Sequence, residues 1–114
     1  MRLMIIYNQF DIVKLPFPFT DKNTEKKRPA LIISKPSYQE NHHHCIFAMI
    51  TSAKQSQWVD DVIISDLKLA GLPTDSKIRF KIFSLHTSLI IGDLGKLQKT
   101  DIMLVKQHLN KYII

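Results

Sequence analysis

The apolar residues of this chain are gathered in short runs rich in Ile, Val and Phe, a pattern that strands satisfy and helices do not. Residues 11–15 alternate weakly and then meet Pro16-Phe17-Pro18-Phe19. Proline has no N–H to give a ladder, so a strand must end there or lie on an edge. Residues 30–34, after Pro29, and residues 45–51 are continuous runs of the buried type. Residues 61–64 are a shorter candidate, residues 77–83 alternate charged and apolar side chains like a half-exposed strand, and residues 88–91 suggest one more. The cluster Thr20-Asp21-Lys22-Asn23-Thr24-Glu25-Lys26-Lys27 holds turn formers and charges and no apolar residue, so it reads as a loop; Ala70-Gly71-Leu72-Pro73 reads as a turn. Only the tail changes period. Ile102, Val105, Leu109 and Tyr112 recur at helical spacing, with Thr100 as a candidate N-cap and Lys106, His108 and Lys111 where cations suit a helix C-terminus. Strands in series followed by one terminal helix predict a mainly β fold, a small curled barrel with the helix packed on it.

The chain has 114 residues, 45% of them hydrophobic and 23% charged, so it reads as one globular domain over residues 1–114. A single cysteine, Cys45, excludes an internal disulfide and fits a reducing cytoplasm. The apolar run at residues 3–6 is too short for a signal-peptide core, and no apolar stretch reaches the length of a membrane span. Lys and Arg number 16 against 10 acids, a formal charge of +6. That balance favours polyanionic partners, whether nucleic acid, an acidic protein or an anionic membrane surface; a merely soluble basic surface is the plain alternative. A phosphate-cradling glycine loop, a paired-cysteine metal pattern and a nucleophile elbow are all missing from the sequence.

The chemistry must then come from scattered polar residues near strand ends. Arg28 precedes Pro29, which holds its neighbour extended, and a guanidinium aimed from such a base can clamp a phosphate; it also reads as the last charge of a solvated run with Lys26 and Lys27. Thr51 and Ser52 close a buried run, where hydroxyls meet a phosphate or ribose, or else cap a turn. Lys77, Arg79 and Lys81 alternate with Ile78 and Phe80, which predicts a basic stripe on one strand face, for tracking a nucleic-acid backbone or for simple solvation. On a strand, His42 and His44 would share a face opposite to His43, and two ligands do not make a zinc site. Cys45 reads as a buried thiol. Trp58 is either a base-stacking platform, a partner anchor or a ring folded back on the core, and Phe10, Phe17 and Phe19 divide between core and interface.

Taken together, these pieces resemble the MazF/PemK family of toxin endoribonucleases. The likeness starts at Asp11-Ile12-Val13 and Pro16-Phe17-Pro18-Phe19-Thr20-Asp21. It continues through Lys27-Arg28-Pro29-Ala30-Leu31-Ile32-Ile33-Ser34, Ile50-Thr51-Ser52 and Ala70-Gly71-Leu72-Pro73. Ser76 with Arg79, Lys81-Ile82-Phe83-Ser84-Leu85 and Gly92-Asp93-Leu94-Gly95-Lys96-Leu97 complete it. The resemblance implies an SH3-like β-barrel with a C-terminal α-helix, working as a homodimer in the cytoplasm. It implies cleavage of single-stranded mRNA at short motifs with neither metal nor cofactor, leaving a cyclic 2′,3′-phosphate and a 5′-hydroxyl, and growth inhibition. It also implies a cognate antitoxin laid along the dimer groove, the pair together binding DNA. Arg28 matches the family's catalytic arginine, Thr51 its catalytic threonine and Arg79 a second functional arginine of some relatives; Glu25 is the nearest acid in the loop. Lys27, Ser52, Ser76, Lys77, Lys81 and Trp58 are the expected RNA contacts.

Departures from the family pattern are specific. Phe10 stands where glycine usually precedes the Asp-Ile-Val run, Lys81 where some relatives carry a proposed aspartate base, and His86 where aspartate is common. The general base is therefore unassigned. The competing readings are a non-catalytic RNA-binding or antitoxin-binding module on the same barrel, and an interaction protein whose basic groove holds an acidic peptide.

Overall fold

The computed structural model describes residues 5–17 and 26–114. Glu25, Phe19 and most of the charged loop lie outside that set. The elements are β1 (Asp11–Pro16), β2 (Lys27–Ile32), α1 (Pro36–His42), β3 (His44–Ser52), β4 (Val62–Ile63), α2 (Leu67–Ala70), β5 (Ser76–His86), β6 (Gly92–Lys96) and α3 (Lys99–Tyr112). The six strands form one antiparallel sheet in the order β4-β5-β3-β2-β1-β6. β1 ends at Pro16, which pairs with Lys27, and Phe17 N–H donates to the Lys26 carbonyl at 2.8 Å across the base of the loop.

Both faces of the central strands are buried, which is why their sequences read as continuous apolar runs rather than alternations. Ile12, Leu31, Ala48, Ile50 and Ile78 face a core completed by Val105 and Leu109 of α3. Val13, Leu15, Ala30, Ile32, Cys45 and Phe47 face the other way, onto Ile90, Tyr7 and Phe83. Burial pushes the Cys45 thiol above its ordinary pKa, as suits a packing residue.

The sheet curls because its two ends are tied through α2. That helix follows β4 closely in sequence yet packs on β6, at the opposite end of the strand order. The approach is so close that a Cβ on Gly95 would stand 2.3 Å from the Leu69 carbonyl oxygen. Gly71 ends α2 in the left-handed region at φ 73°, and a Cβ there would stand 2.0 Å from the Leu94 oxygen.

Several local expectations are revised. α1 was hidden in sequence because it has no apolar face: its one buried residue is Gln39, whose side chain accepts from Tyr7 N–H at 2.9 Å and donates to the Ile5 carbonyl at 2.6 Å. Tertiary hydrogen bonds, not periodicity, keep this short helix. The histidine run consequently does not lie on one strand: His42 ends α1, His43 is its left-handed cap at φ 56°, and His44 opens β3. Residues 87–89 form a 3-10 turn where a strand was expected, and the last strand is β6. α3 buries Val105 and Leu109 as its spacing predicts, but Gln98 rather than Thr100 caps it, accepting from Thr100 N–H. Tyr112 turns outward, its hydroxyl donating to Asp60. Buried Asp101 accepts from both the backbone N–H and the hydroxyl of Ser65, at 2.8 and 2.9 Å, tying α3 to the segment after β4.

Candidate active site

Antiparallel register gathers the polar strand ends. The β2–β3 ladder begins at Ala30–Met49, two residues in from Arg28 on one strand and from Thr51 on the other. Thr51 in turn pairs with Lys77, and Ser52 with Ser76. Thr51 is buried, and its hydroxyl has no hydrogen-bond partner among the described residues.

Arg28 belongs to β2, paired with Leu15, and its guanidinium lies 4.4 Å from the centre of the Phe17 ring. Among the described residues it makes no ion pair. With Lys14, Lys27 and Leu94 it lines a groove of about 300 Å³ that ends on Pro73. A second groove, of about 640 Å³, starts at the same Pro73 and runs along Ser52, Lys54 and Thr74. Both grooves touch Pro73, the first lined by cations and the second by the Ser52 and Thr74 hydroxyls with Lys54 and Asp75. Ser76 lines neither: it is buried, its hydroxyl donating to the Thr74 carbonyl at 2.8 Å.

The predicted basic stripe on β5 does not form. Between Ala48–Ile82 and Met49–Arg79 the register advances one residue on β3 and three on β5, so Lys81 is carried off the line of Lys77 and Arg79. Lys81 borders a separate apolar groove with Phe17, Met49, Ile82 and Phe83. Lys77 and Arg79 are buried and share one carboxylate, Asp61, at 3.4 and 3.0 Å, with side-chain exposures of 1% and 9%. Burial by itself would raise the Asp61 pKa; the Arg79 hydrogen bonds, the Trp58 N–H, the Arg79 charge and Lys77 outweigh it and hold the carboxyl below its ordinary value. Asp61 is the residue sequence reasoning passed over. Its only signal was an acid shortly after a tryptophan, and pairing with β5 is a tertiary fact.

The family model for the PemK-like, MazF-like toxins of type II toxin–antitoxin systems matches residues 8–113. The chain belongs to that family. A MazE–MazF structure (Form-II) from Deinococcus radiodurans matches with a TM-score of 0.73 at 17% identity, over 95% of each chain. An endoribonuclease in complex with its cognate antitoxin, from a mycobacterial species, matches at 0.71 and 13% identity over 92% of each chain. Toxin MazF-mt6 of Mycobacterium tuberculosis matches at 0.70 and 15% identity, over 89% of this chain and 93% of that one. Comparison with the curated proteins found no match. At these identities the likeness establishes the MazF-like fold.

Within that family frame two departures gain a physical meaning. Phe10, in the usual glycine place, adopts φ 73°, the left-handed conformation glycine takes freely; the ring is buried and the flanking hydrogen bonds to Ile32 and Leu97 are kept. His86 pairs with His44 at the far end of the β3–β5 ladder from Thr51, its Nδ1 2.9 Å from the Ser88 hydroxyl. Among the described residues no group of His, Cys, Asp and Glu is arranged to hold a metal ion, and no helix is long and apolar enough to cross a membrane.

Proposed function

We propose that this PemK/MazF-family chain is the toxin of a cytoplasmic toxin–antitoxin pair, a metal-independent endoribonuclease that cuts single-stranded mRNA at a short motif. The observation that carries the reading is the Arg28 guanidinium, which makes no ion pair among the described residues and lines a groove with Lys14 and Lys27, on the strand beside the one that ends in Thr51 and Ser52. The endoribonuclease named among the structural neighbours supports the reaction class.

The chemistry follows from Arg28 and Thr51. The ribose 2′-oxygen loses its proton and attacks the adjacent phosphorus, its bond to phosphorus forms, and the bond to the 5′-oxygen breaks, that oxygen taking a proton from water to leave as the 5′-hydroxyl. Negative charge grows on the non-bridging oxygens, where the Arg28 guanidinium stabilises it more as it grows. Arg28 keeps its own proton, since guanidinium pKa values lie above about 12. Thr51 orients the phosphate or the attacking hydroxyl. Glu25 is proposed as the base that takes the 2′ proton. Lys27, Ser52 and Lys14 hold the backbone, while Lys77 and Arg79 serve it indirectly, through Asp61. The working unit is proposed to be a homodimer, supported by the apolar groove at Phe17, Ile82 and Phe83. A cognate antitoxin is proposed as the partner, laid along the dimer groove; neighbours solved together with an antitoxin support the partner.

Incubation with a long single-stranded RNA in EDTA, followed by end mapping, tests the reaction. Fragments should carry 2′,3′-cyclic phosphate and 5′-hydroxyl ends. Cleavage that appears only with added divalent ions overturns the mechanism; RNA bound but left whole points to the non-catalytic module instead.

A further inference from the structure

The loop of residues 53–61 leaves β3 just after Thr51 and Ser52, and buried charges hold it from beneath. Lys77 Nζ donates to the Gln55 carbonyl at 2.7 Å, and Arg79 donates to the Ser56 carbonyl. Asp61 closes the loop by accepting the Trp58 backbone N–H at 3.0 Å. From the other side α3 reaches Asp60, whose backbone is left-handed at φ 69°, through the Tyr112 hydroxyl and through His108 Nδ1 at 3.6 Å. A loop fixed on two sides would be expected to tuck its apolar residues inward. Instead it leaves Trp58 45% exposed and Val59 84% exposed. One face of the indole is already occupied: the Arg79 guanidinium stands 4.7 Å from the ring centre. A cation beneath the ring holds the indole in place and leaves the solvent-open side flat and rigid.

We propose that the outer face of the Trp58 indole is a stacking platform for one nucleobase of single-stranded RNA, and that Arg79 is the positioning residue that holds it there. The proposal rests on the RNA-cleaving reading and adds a base subsite to it. It also moves Arg79 out of phosphate chemistry, since a guanidinium committed to Asp61 and to an indole is not offered to a phosphate. Every base has a π face, so the platform selects unpaired strands without demanding a sequence.

Trp58 is the only tryptophan of the chain, so its fluorescence reports this site alone. The probe is a single-stranded 2′-fluoro RNA of mixed sequence, which lacks the attacking hydroxyl and stays whole. A dye on its end gives affinity by anisotropy, and unlabelled strand is titrated against tryptophan emission. Quenching should follow the anisotropy midpoint. Trp58→Ala should weaken binding about tenfold or more, the scale of losing one stacked base, whereas Trp58→Phe should lose far less. Arg79→Lys keeps a cation for Asp61 but not a flat support; it should lower affinity in the wild-type background and add little once Trp58 is alanine. Urea midpoints identify any variant that fails to fold, and Trp58→Ala, at an exposed loop position, should keep its midpoint. RNA that binds with unchanged emission, and equally well to Trp58→Ala, overturns the platform and leaves the RNA reading standing. No anisotropy change with wild-type protein at low salt overturns both. Quenching by an acidic peptide but not by RNA reassigns the ring to a protein partner.

Discussion

A guanidinium that grips a phosphate harder as charge builds on it affects turnover more than binding. Arg28→Ala should therefore slow single-turnover cleavage by about a hundredfold or more, the scale of losing one donor to a developing oxyanion. RNA affinity should fall much less, because Lys14, Lys27 and Lys54 still line the two grooves. Arg28→Lys should rescue little, since a point charge lacks the planar fork. A folded Arg28→Ala protein that cuts at the wild-type rate removes Arg28 from the site. Phe10 poses a different question at the same scale. Its ring fills the core while its backbone bears a left-handed φ of 73°. Phe10→Ala loses the ring and keeps the strain; Phe10→Gly loses the ring and relieves the strain. Glycine should thus be less destabilising than alanine by about 1 kcal/mol in urea unfolding. The reverse order would show that the left-handed turn costs this chain nothing.

Strand β5 changes role along its length. Its first half is clamped, with Lys77 and Arg79 on Asp61; past the register shift, residues 81 and 82 are exposed. The clamp makes stability depend on pH with a definite sign. The folded-state pKa of Asp61 is lowered, so its contribution is complete above the unfolded value of about 3.9 and is lost as pH falls through the folded value. Urea midpoints should hold from pH 7 down to the carboxylate range and then fall. Asp61→Asn leaves two buried cations unpaired and should cost about 3–5 kcal/mol at neutral pH. It should also remove part of the acid limb, so the two curves converge as pH drops. Parallel curves would show that Asp61 carries no linked proton.

At the scale of the whole molecule, the apolar groove lined by Phe17, Met49, Ile82 and Phe83 bears on assembly. Two-fold pairing is the commonest way for a small protein to cover such a surface. Light scattering at micromolar concentration should give twice the mass of one chain, and Ile82→Glu, placing a charge in the groove, should shift it to one. A wild-type monomer with full activity would end the dimer reading. Phe19, the other residue that suggested an interface, lies outside the described residues.

Arg28 stands inside β2, which starts at Lys27 rather than at residue 30. What the sequence by itself determined was the mainly β class, the helical tail and the strand end at Thr51 and Ser52. Those follow from local rules: apolar runs too short for helices and a change of period after residue 100. The family likeness was legible for a related reason, since ordered fragments from Asp11 to Leu97 each mark a strand end or turn of one fold. Only the tertiary structure decided the fate of the charges on β5. Alternation places Lys77, Arg79 and Lys81 on one face, but a two-residue excess in the β3–β5 ladder separates the third from the others. The buried pair then needs a carboxylate that no local pattern names, and Asp61 supplies it from a loop. Side-chain periodicity is a property of one strand, whereas register and charge pairing belong to two segments at once. The histidine run failed for the same reason: α1 is held by Gln39 reaching Tyr7 and Ile5, a contact that spacing along the chain cannot encode.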